Sequence, residues 1–252
     1  MTANETTSET TSETTVSAET LEQLRHVSTA TLTTQLFKRG LRNVFLQGVA
    51  PLVKPAPGAP NLVGPAFTLR NIPAREDLDH VGVFQNPDHP QRKAVETAPP
   101  GSVLVQDCRG DRTVASVGSI LALRLAKRGV AGMVSDGAVR DSGTISELGL
   151  PIWCAGASAP LNLAKHHAVD MNVPIACGGV PVYPGDIVVA DVDGVVIVPR
   201  EMAADVARDA TEQEQLEVFI QQRVADGSPL RGTYPPNEET LAAYKAWREQ
   251  QK

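Results

Sequence analysis

The residues best placed to do chemistry lie in one 24-residue stretch, GSILALRLAKRGVAGMVSDGAVRD (118–141). Gly118, Ser119, Ile120 and Leu121 open a helical pattern, and the first N–H groups of a helix have no intrahelical partner. Aided by the helix dipole, those groups can receive a carboxylate. Arg140 can fork onto a ligand carboxylate or an enolate oxygen. Asp141 can hold a hard divalent cation, which keeps several waters and takes only one or two protein carboxylates. On spacing alone, an ordinary helix start and a surface Arg–Asp turn worth roughly 0–1 kcal/mol fit the same letters.

Other candidates carry less. His166-His167 suggests a metal, but adjacent residues on a regular element point apart and no third ligand lies at a metal-like spacing. Asp107, Asp111, Asp186, Asp191 and Asp193 sit at turns, where Asp is expected for backbone reasons. Ser102, Ser116 and Ser142 lack the G-x-S-x-G setting of a nucleophile elbow, and no glycine pattern forms a Walker or dinucleotide loop.

The elements that must position 118–141 can be read around it. Strands are expected over 66–72 and 102–108, then a helix from Gly118 that stops at Gly129, a buried strand over 130–135 and another over 151–156. This β-α-β-α-β order implies parallel strands, whose ligands collect beyond the carboxyl ends. Upstream, Ser28 is placed to cap a helix with Leu32, Leu36 and Phe37 on one face and Gly40 as its stop; structure is expected to begin near Leu21. Downstream, 173–199 reads as a meander of Val/Ile-rich runs. A charged helix follows from Arg200 to about Ala225, with Val206, Leu216 and Ile220 inward, and a last helix covers about Glu238 to Gln250. The intervening GSPLRGTYPP reads as a linker.

The whole chain has 252 residues, 42% of them apolar and 21% charged, enough to bury the core of one large domain. A net charge of −6 without a long basic run argues against nucleic acid as a partner. Three scattered cysteines suggest neither a disulfide framework nor a zinc knuckle. No apolar run reaches the length of a membrane span and no signal core opens the chain, so no membrane partner and a cytoplasmic location are expected. The Thr/Ser/Glu tract at the start has too little apolar mass to fold. The expected division is a disordered tail over 1–18, an α/β domain over 19–227 and a helical C-terminal extension over 228–252.

At 118–141 the sequence resembles the superfamily of the regulator of ribonuclease activity A and the class II pyruvate aldolases, among them the 4-hydroxy-4-methyl-2-oxoglutarate aldolases. The pattern is a glycine, an acidic residue, twenty further residues and then Arg-Asp; Gly118, position 119 and Arg140-Asp141 keep that register. The likeness runs from about Ser28 to Pro199 and includes VGPAFTLR (63–70) and VYPGDIVVADVDGVVIVP (182–199). A subgroup found with sugar-acid degradation is suggested by STATLTTQLFKRGLRN (28–43), NPDHPQRKA (86–94) and HHAVDMNVPIACGG (166–179).

The resemblance implies a layered αββα sandwich similar to the swivelling phosphohistidine domain, with C-terminal helices, assembled as homotrimers or, as dimers of trimers, homohexamers. It also implies a small-molecule 2-oxo acid as ligand and Mg²⁺ or Mn²⁺ as cofactor. Carried over, the family's roles give Arg140 polarisation of the ketone, Asp141 the metal, and Ile120 and Leu121 the amides that hold the pyruvyl carboxylate. Position 119 departs from the pattern, because Ser119 stands where the family has its acid. A hydroxyl neither holds a dication by charge nor acts as a base at neutral pH. Three outcomes follow: another carboxylate substitutes, either Asp136 or one from a neighbouring subunit; metal binding is weak; or the chemistry is changed. The leading expectation is a metal-dependent lyase working through a pyruvate enolate, by retro-aldol cleavage or oxaloacetate-type decarboxylation. The alternatives are a dehydratase or hydratase of a sugar-derived 2-oxo acid, and a non-catalytic regulatory binding protein.

Overall fold

The computed structural model describes residues 16–251. The expected tail up to residue 15 lies outside them. Two helices open the described chain, α1 (Ala18–Leu24) and α2 (Thr29–Lys38). Ser17 accepts from the Thr20 amide and Ser28 from the Thr31 amide, so each helix starts on a serine cap. The first helix thus begins three residues before Leu21, and residues 16–18 belong to the folded body. In α2 Leu32 and Leu36 are buried, as expected. Phe37 is not: it is 60% exposed, with the Arg42 guanidinium 5.4 Å from its ring centre.

The strands and helices that follow are β1 (Ala50–Pro51), β2 (Leu62–Pro73), α3 (Pro90–Thr97), β3 (Val103–Asp107), β4 (Ala115–Val117), α4 (Ser119–Lys127), β5 (Gly132–Ser135), β6 (Ala138–Val139), α5 (Ser142–Ser146) and β7 (Ile152–Cys154). Then come β8 (His166–Met171), β9 (Ile175–Cys177), β10 (Val180–Val182), β11 (Ile187–Ala190), β12 (Val195–Val198), α6 (Ala203–Ala225), α7 (Leu230–Thr233) and α8 (Glu238–Gln250). The large sheet has the order β1-β7-β5-β3-β2-β11-β12, with β8 also on β2. Strands β2, β3, β5 and β7 are parallel, as the β-α-β-α-β pattern requires.

Alternation along these strands builds two cores. Leu104 and Met133 face α3, α4 and α5, packing with Ala94, Val95, Ala122, Leu125 and Ile145. Val103, Val105 and Val134 face the other way and pack against Val188, Ala190, Val195 and Ile197 of β11 and β12. The outer residues Ile187, Val189, Val196 and Val198 are covered by α1, α2 and α6. The layers therefore run helix, sheet, sheet, helix, the αββα arrangement expected. The meander expected over 173–199 is instead two separate hairpins, β9–β10 and β11–β12, in different sheets. Among the described residues all three cysteines are free and buried, and no helix is long and apolar enough to cross a membrane.

The C-terminal helices close the fold. Val206 and Ile220 of α6 are buried, and Phe219 packs with Tyr244 and Trp247 of α8 in a small cluster apart from the main cores. The stretch expected as a linker contains the short α7.

Candidate active site

Strands β4 and β6 form a short parallel ribbon beside the main sheet, pairing Ala115 with Ala138 and Val117 with Val139. Both run toward one place: α4 starts directly after β4, and Arg140-Asp141 directly follows β6. The Arg140 amide bonds the Val117 carbonyl at 3.0 Å and so locks the two ends together. Gly118 to Leu121, Arg140 and Asp141, the residues singled out from the sequence, all line one pocket of about 110 Å³.

The backbone at Asp141 is left-handed, with φ 56° and ψ 34°. Few residues other than glycine adopt that shape, and Asp is among those that tolerate it. The turn directs the carboxylate back across the start of α4, where Oδ2 accepts from the Ser119 amide at 3.0 Å and its hydroxyl at 3.2 Å. The bond from the Ser119 amide is the main reason the Asp141 carboxyl lies below the usual carboxylate range; the Ser119 hydroxyl and the Arg140 charge add to it. Among the described residues its Oδ1 has no partner. Gly118 leaves room for this arrangement: a Cβ there would lie 2.8 Å from Asp141 Oδ2 and 2.9 Å from Arg140 Nε and would push both side chains aside.

The first bond inside α4 runs from the Ala122 amide to the Gly118 carbonyl. Among the described residues the Ile120 and Leu121 amides therefore have no acceptor and remain available to a ligand. Arg140 makes only a long 3.9 Å approach to Asp141, and its guanidinium is otherwise uncommitted.

Helix α3 supplies a wall that the sequence reading missed. Gln91 and Arg92 line the pocket, together with Phe84 and the Leu161-Asn162 loop. Gln91 donates from Nε2 to the Ser116 carbonyl at 2.7 Å. The Arg92 guanidinium carbon sits over Phe84, 4.2 Å from the ring centre, and burial followed by the Arg140 charge pulls its pKa down. Helix α3 is held against α4 by Glu96, which takes a forked bond from Arg124 at 2.7–3.1 Å. The sequence signal was the segment 86–94, but nothing in its spacing ties it to 118–141.

Asp136 does not substitute for the acid missing at position 119. Its Oδ1 accepts from the Cys108 amide at 2.6 Å, and its Oδ2 from the amides of Gly110 and Gly178 at 3.0 and 3.2 Å. It is buried, and it lies outside the residues that line the pocket. The two histidines point to different partners: His167 pairs with Asp79 at 2.7 Å, and His166 meets Arg109 at 3.2 Å. Among the described residues no cluster of three or more His, Cys, Asp and Glu side chains could hold a metal by itself.

A layered α/β fold with a small cationic pocket at strand ends sets the class of protein. The chain belongs to the RraA-like family, described as Aldolase/RraA, whose pattern it matches over residues 29–197. A protein of Halalkalibacterium halodurans named as a proposed 4-hydroxy-4-methyl-2-oxoglutarate aldolase is 33% identical over 82% of this chain and 89% of its own. The crystal structure of Streptomyces coelicolor RraAS2, titled an unusual member of the RNase ES inhibitor RraA protein family, superposes with a TM-score of 0.72. It is 34% identical and covers 82% of this chain and 98% of that one. An uncharacterized protein from Pseudomonas syringae superposes at 0.75, with 28% identity over 88% of this chain and 95% of that one.

Proposed function

We propose that this protein is a lyase that acts on a small 2-oxo acid through the enolate of its pyruvyl part, by retro-aldol cleavage or oxaloacetate-type decarboxylation. The observation that carries this reading is the convergence of the unpartnered Ile120 and Leu121 amides with the Arg140 guanidinium on one small pocket. The two amides suit the substrate carboxylate. Arg140 then lies where the neighbouring keto oxygen would gain negative charge as the carbon–carbon bond breaks and its electron pair enters the enolate. A fixed cation at that position favours the charged state more than the neutral ketone. The relatives' aldolase names support the same chemistry.

A divalent cation fits the pocket on a single charged donor. Asp141 Oδ1 is free to bind it, and Ser119 adds a neutral hydroxyl; a cation such as Mg²⁺ that keeps most of its waters needs no more than one or two carboxylates. When bound, Mg²⁺ or Mn²⁺ would add Lewis-acid stabilisation of the enolate oxygen. Ile120 at the pocket, 80% exposed, and Leu123 further along α4, 43% exposed, suit a neighbouring subunit in a trimer-based assembly, which sedimentation would detect.

The test is pyruvate release from 4-hydroxy-2-oxo acids and from oxaloacetate, with Mg²⁺ or Mn²⁺ present. Arg140→Ala is expected to lower kcat/KM by about 100-fold or more. Absence of any turnover or 2-oxo acid binding in the intact protein would remove the lyase reading and favour a regulatory binding protein.

A further inference from the structure

A second cavity, of about 490 Å³, opens where β2, β5 and β7 begin. It shares no lining residue with the candidate active site and is several times larger. Its volume lies within the range of sites that enclose small molecules.

The surface it offers is mostly carbon. Leu62, Leu150, Ile152 and Trp153 line it and are otherwise buried, and the one polar atom of the Trp153 ring is already spent on the Asp191 carbonyl. The facing wall is the Pro/Gly-rich loop 52–61, and it is tied down at both ends. The Leu52 amide donates to the Ile152 carbonyl at 2.8 Å, and the Asn61 amide to the Arg25 carbonyl at 2.9 Å. Asn61 Nδ2 donates in addition to the Leu24 and Val27 carbonyls at 3.0 and 2.6 Å. The cavity therefore exists before anything enters it, and a ligand need not order the loop.

Charge then narrows the occupant. The chain carries a net charge of −6, yet the only charged residues that line this cavity are Arg25 and Lys54. Among the described residues Lys54 has no carboxylate within ion-pair distance. Arg25 approaches Glu22 at 3.4 Å, a solvent-exposed pair of little worth, and Glu22 does not line the cavity. Two cations beside an apolar surface repel a cationic ligand and attract an anionic one. A sugar or a phosphate ester would press hydroxyls against carbon without partners for them. What fits is a single acidic head on an apolar body.

We propose that this cavity is a second ligand site, separate from the candidate active site, which takes a small carboxylic acid with an aliphatic or aromatic body. The body lies against Leu150, Ile152 and Trp153, and the carboxylate meets Arg25 and Lys54.

Calorimetric titration of the intact protein with octanoate and with 3-phenylpropanoate tests this. At least one of them should bind at one per chain, about tenfold or more tighter than acetate, which lacks the body, and than octylamine, which carries the opposite charge. Replacing both cations, Arg25→Gln with Lys54→Gln, should weaken the bound acid about tenfold or more, the worth of its charge-assisted contacts. Ser146→Trp, which adds bulk at an exposed position of the wall, should block it. If that variant does not fold, Ala59→Trp on the facing loop does the same work. Arg140→Ala should leave the affinity within about twofold, since the two sites share no residue. Failure of both acids to bind would overturn the proposal, as would binding that survives loss of the two cations or the added bulk. Binding lost with Arg140→Ala would place the acid in the candidate active site instead. If neither acid binds and Ser146→Trp lowers the sedimentation coefficient, the cavity seats a second copy of the chain and the proposal falls.

Discussion

Asp136 and Asp141 lie five residues apart, on either side of the short strand β6, yet the fold uses them in opposite ways. Asp136 is buried, and three backbone amides from two separate loops converge on its two oxygens. Asp141 is exposed, commits one oxygen to Ser119 and leaves the other open. Each has a glycine beside it for a different reason. A Cβ on Gly137 would fall 2.7 Å from Cys108 Cβ, inside the core, whereas a Cβ on Gly118 would fall on the functional groups of Arg140 and Asp141 themselves. A carboxylate whose acceptors are all used holds a structure together; one with an acceptor to spare can meet a ligand.

The largest expected effect falls on the buried side. Asp136→Ala should lower stability by about 3 kcal/mol or more, since it strands three amides without an acceptor; urea unfolding measures this. Asp141→Asn should leave the urea midpoint unchanged and remove most of the lyase turnover. If the two variants lost stability alike, the contrast between them would collapse. Next in size, Gly118→Ala should weaken 2-oxo acid binding about tenfold or more, by displacing Arg140 and Asp141 from each other, with little change in the midpoint.

A pH measurement sharpens the buried half further. Burial and the Arg109 charge bring the His166 pKa down from 6.5 to about 4. The folded protein therefore binds this proton less readily than the unfolded chain does. The stability due to the neutral ring is complete above about pH 6.5 and is lost as pH falls toward 4. Urea midpoints at pH 7 and pH 5 should differ less in His166→Gln than in the wild type. The smallest effect belongs to Ser119→Asp. With its hydroxyl 3.2 Å from Asp141 Oδ2, the position can deliver a second carboxylate to the same cation, so Mg²⁺ affinity should rise. Unchanged affinity would mean that position 119 does not face the cation.

Much of this was legible locally. Caps such as Ser28, the stop at Gly129 and the parallel strand order depend on residues close in sequence, and the six candidate residues within 118–141 are brought together by the pairing of β4 with β6. What escaped depends on distant packing. Asp136 reads as a spare acid until Cys108, Gly110 and Gly178 are seen to surround it. Gln91 and Arg92 reach the pocket because α3 packs beside α4, through Ala94 and Val95 in the core and the Glu96–Arg124 pair at the surface, a contact that spacing does not reveal. Phe37 follows the apolar rhythm of its helix but lies outward, under Arg42. The run over 173–199 alternates like one meander although its halves pair in different sheets.

The separation of the Phe219, Tyr244 and Trp247 cluster from the main cores also has a spectroscopic consequence. The chain has two tryptophans, and the other, Trp153, sits 3% exposed in the sheet with its indole N–H on the Asp191 carbonyl at 2.8 Å. Each fluorophore therefore reports on a different part of the molecule. A Trp247→Phe variant leaves emission from the sheet alone, and a Trp153→Phe variant leaves emission from the terminal helices alone. Any difference between their melting curves would show whether α8 detaches before the sandwich opens.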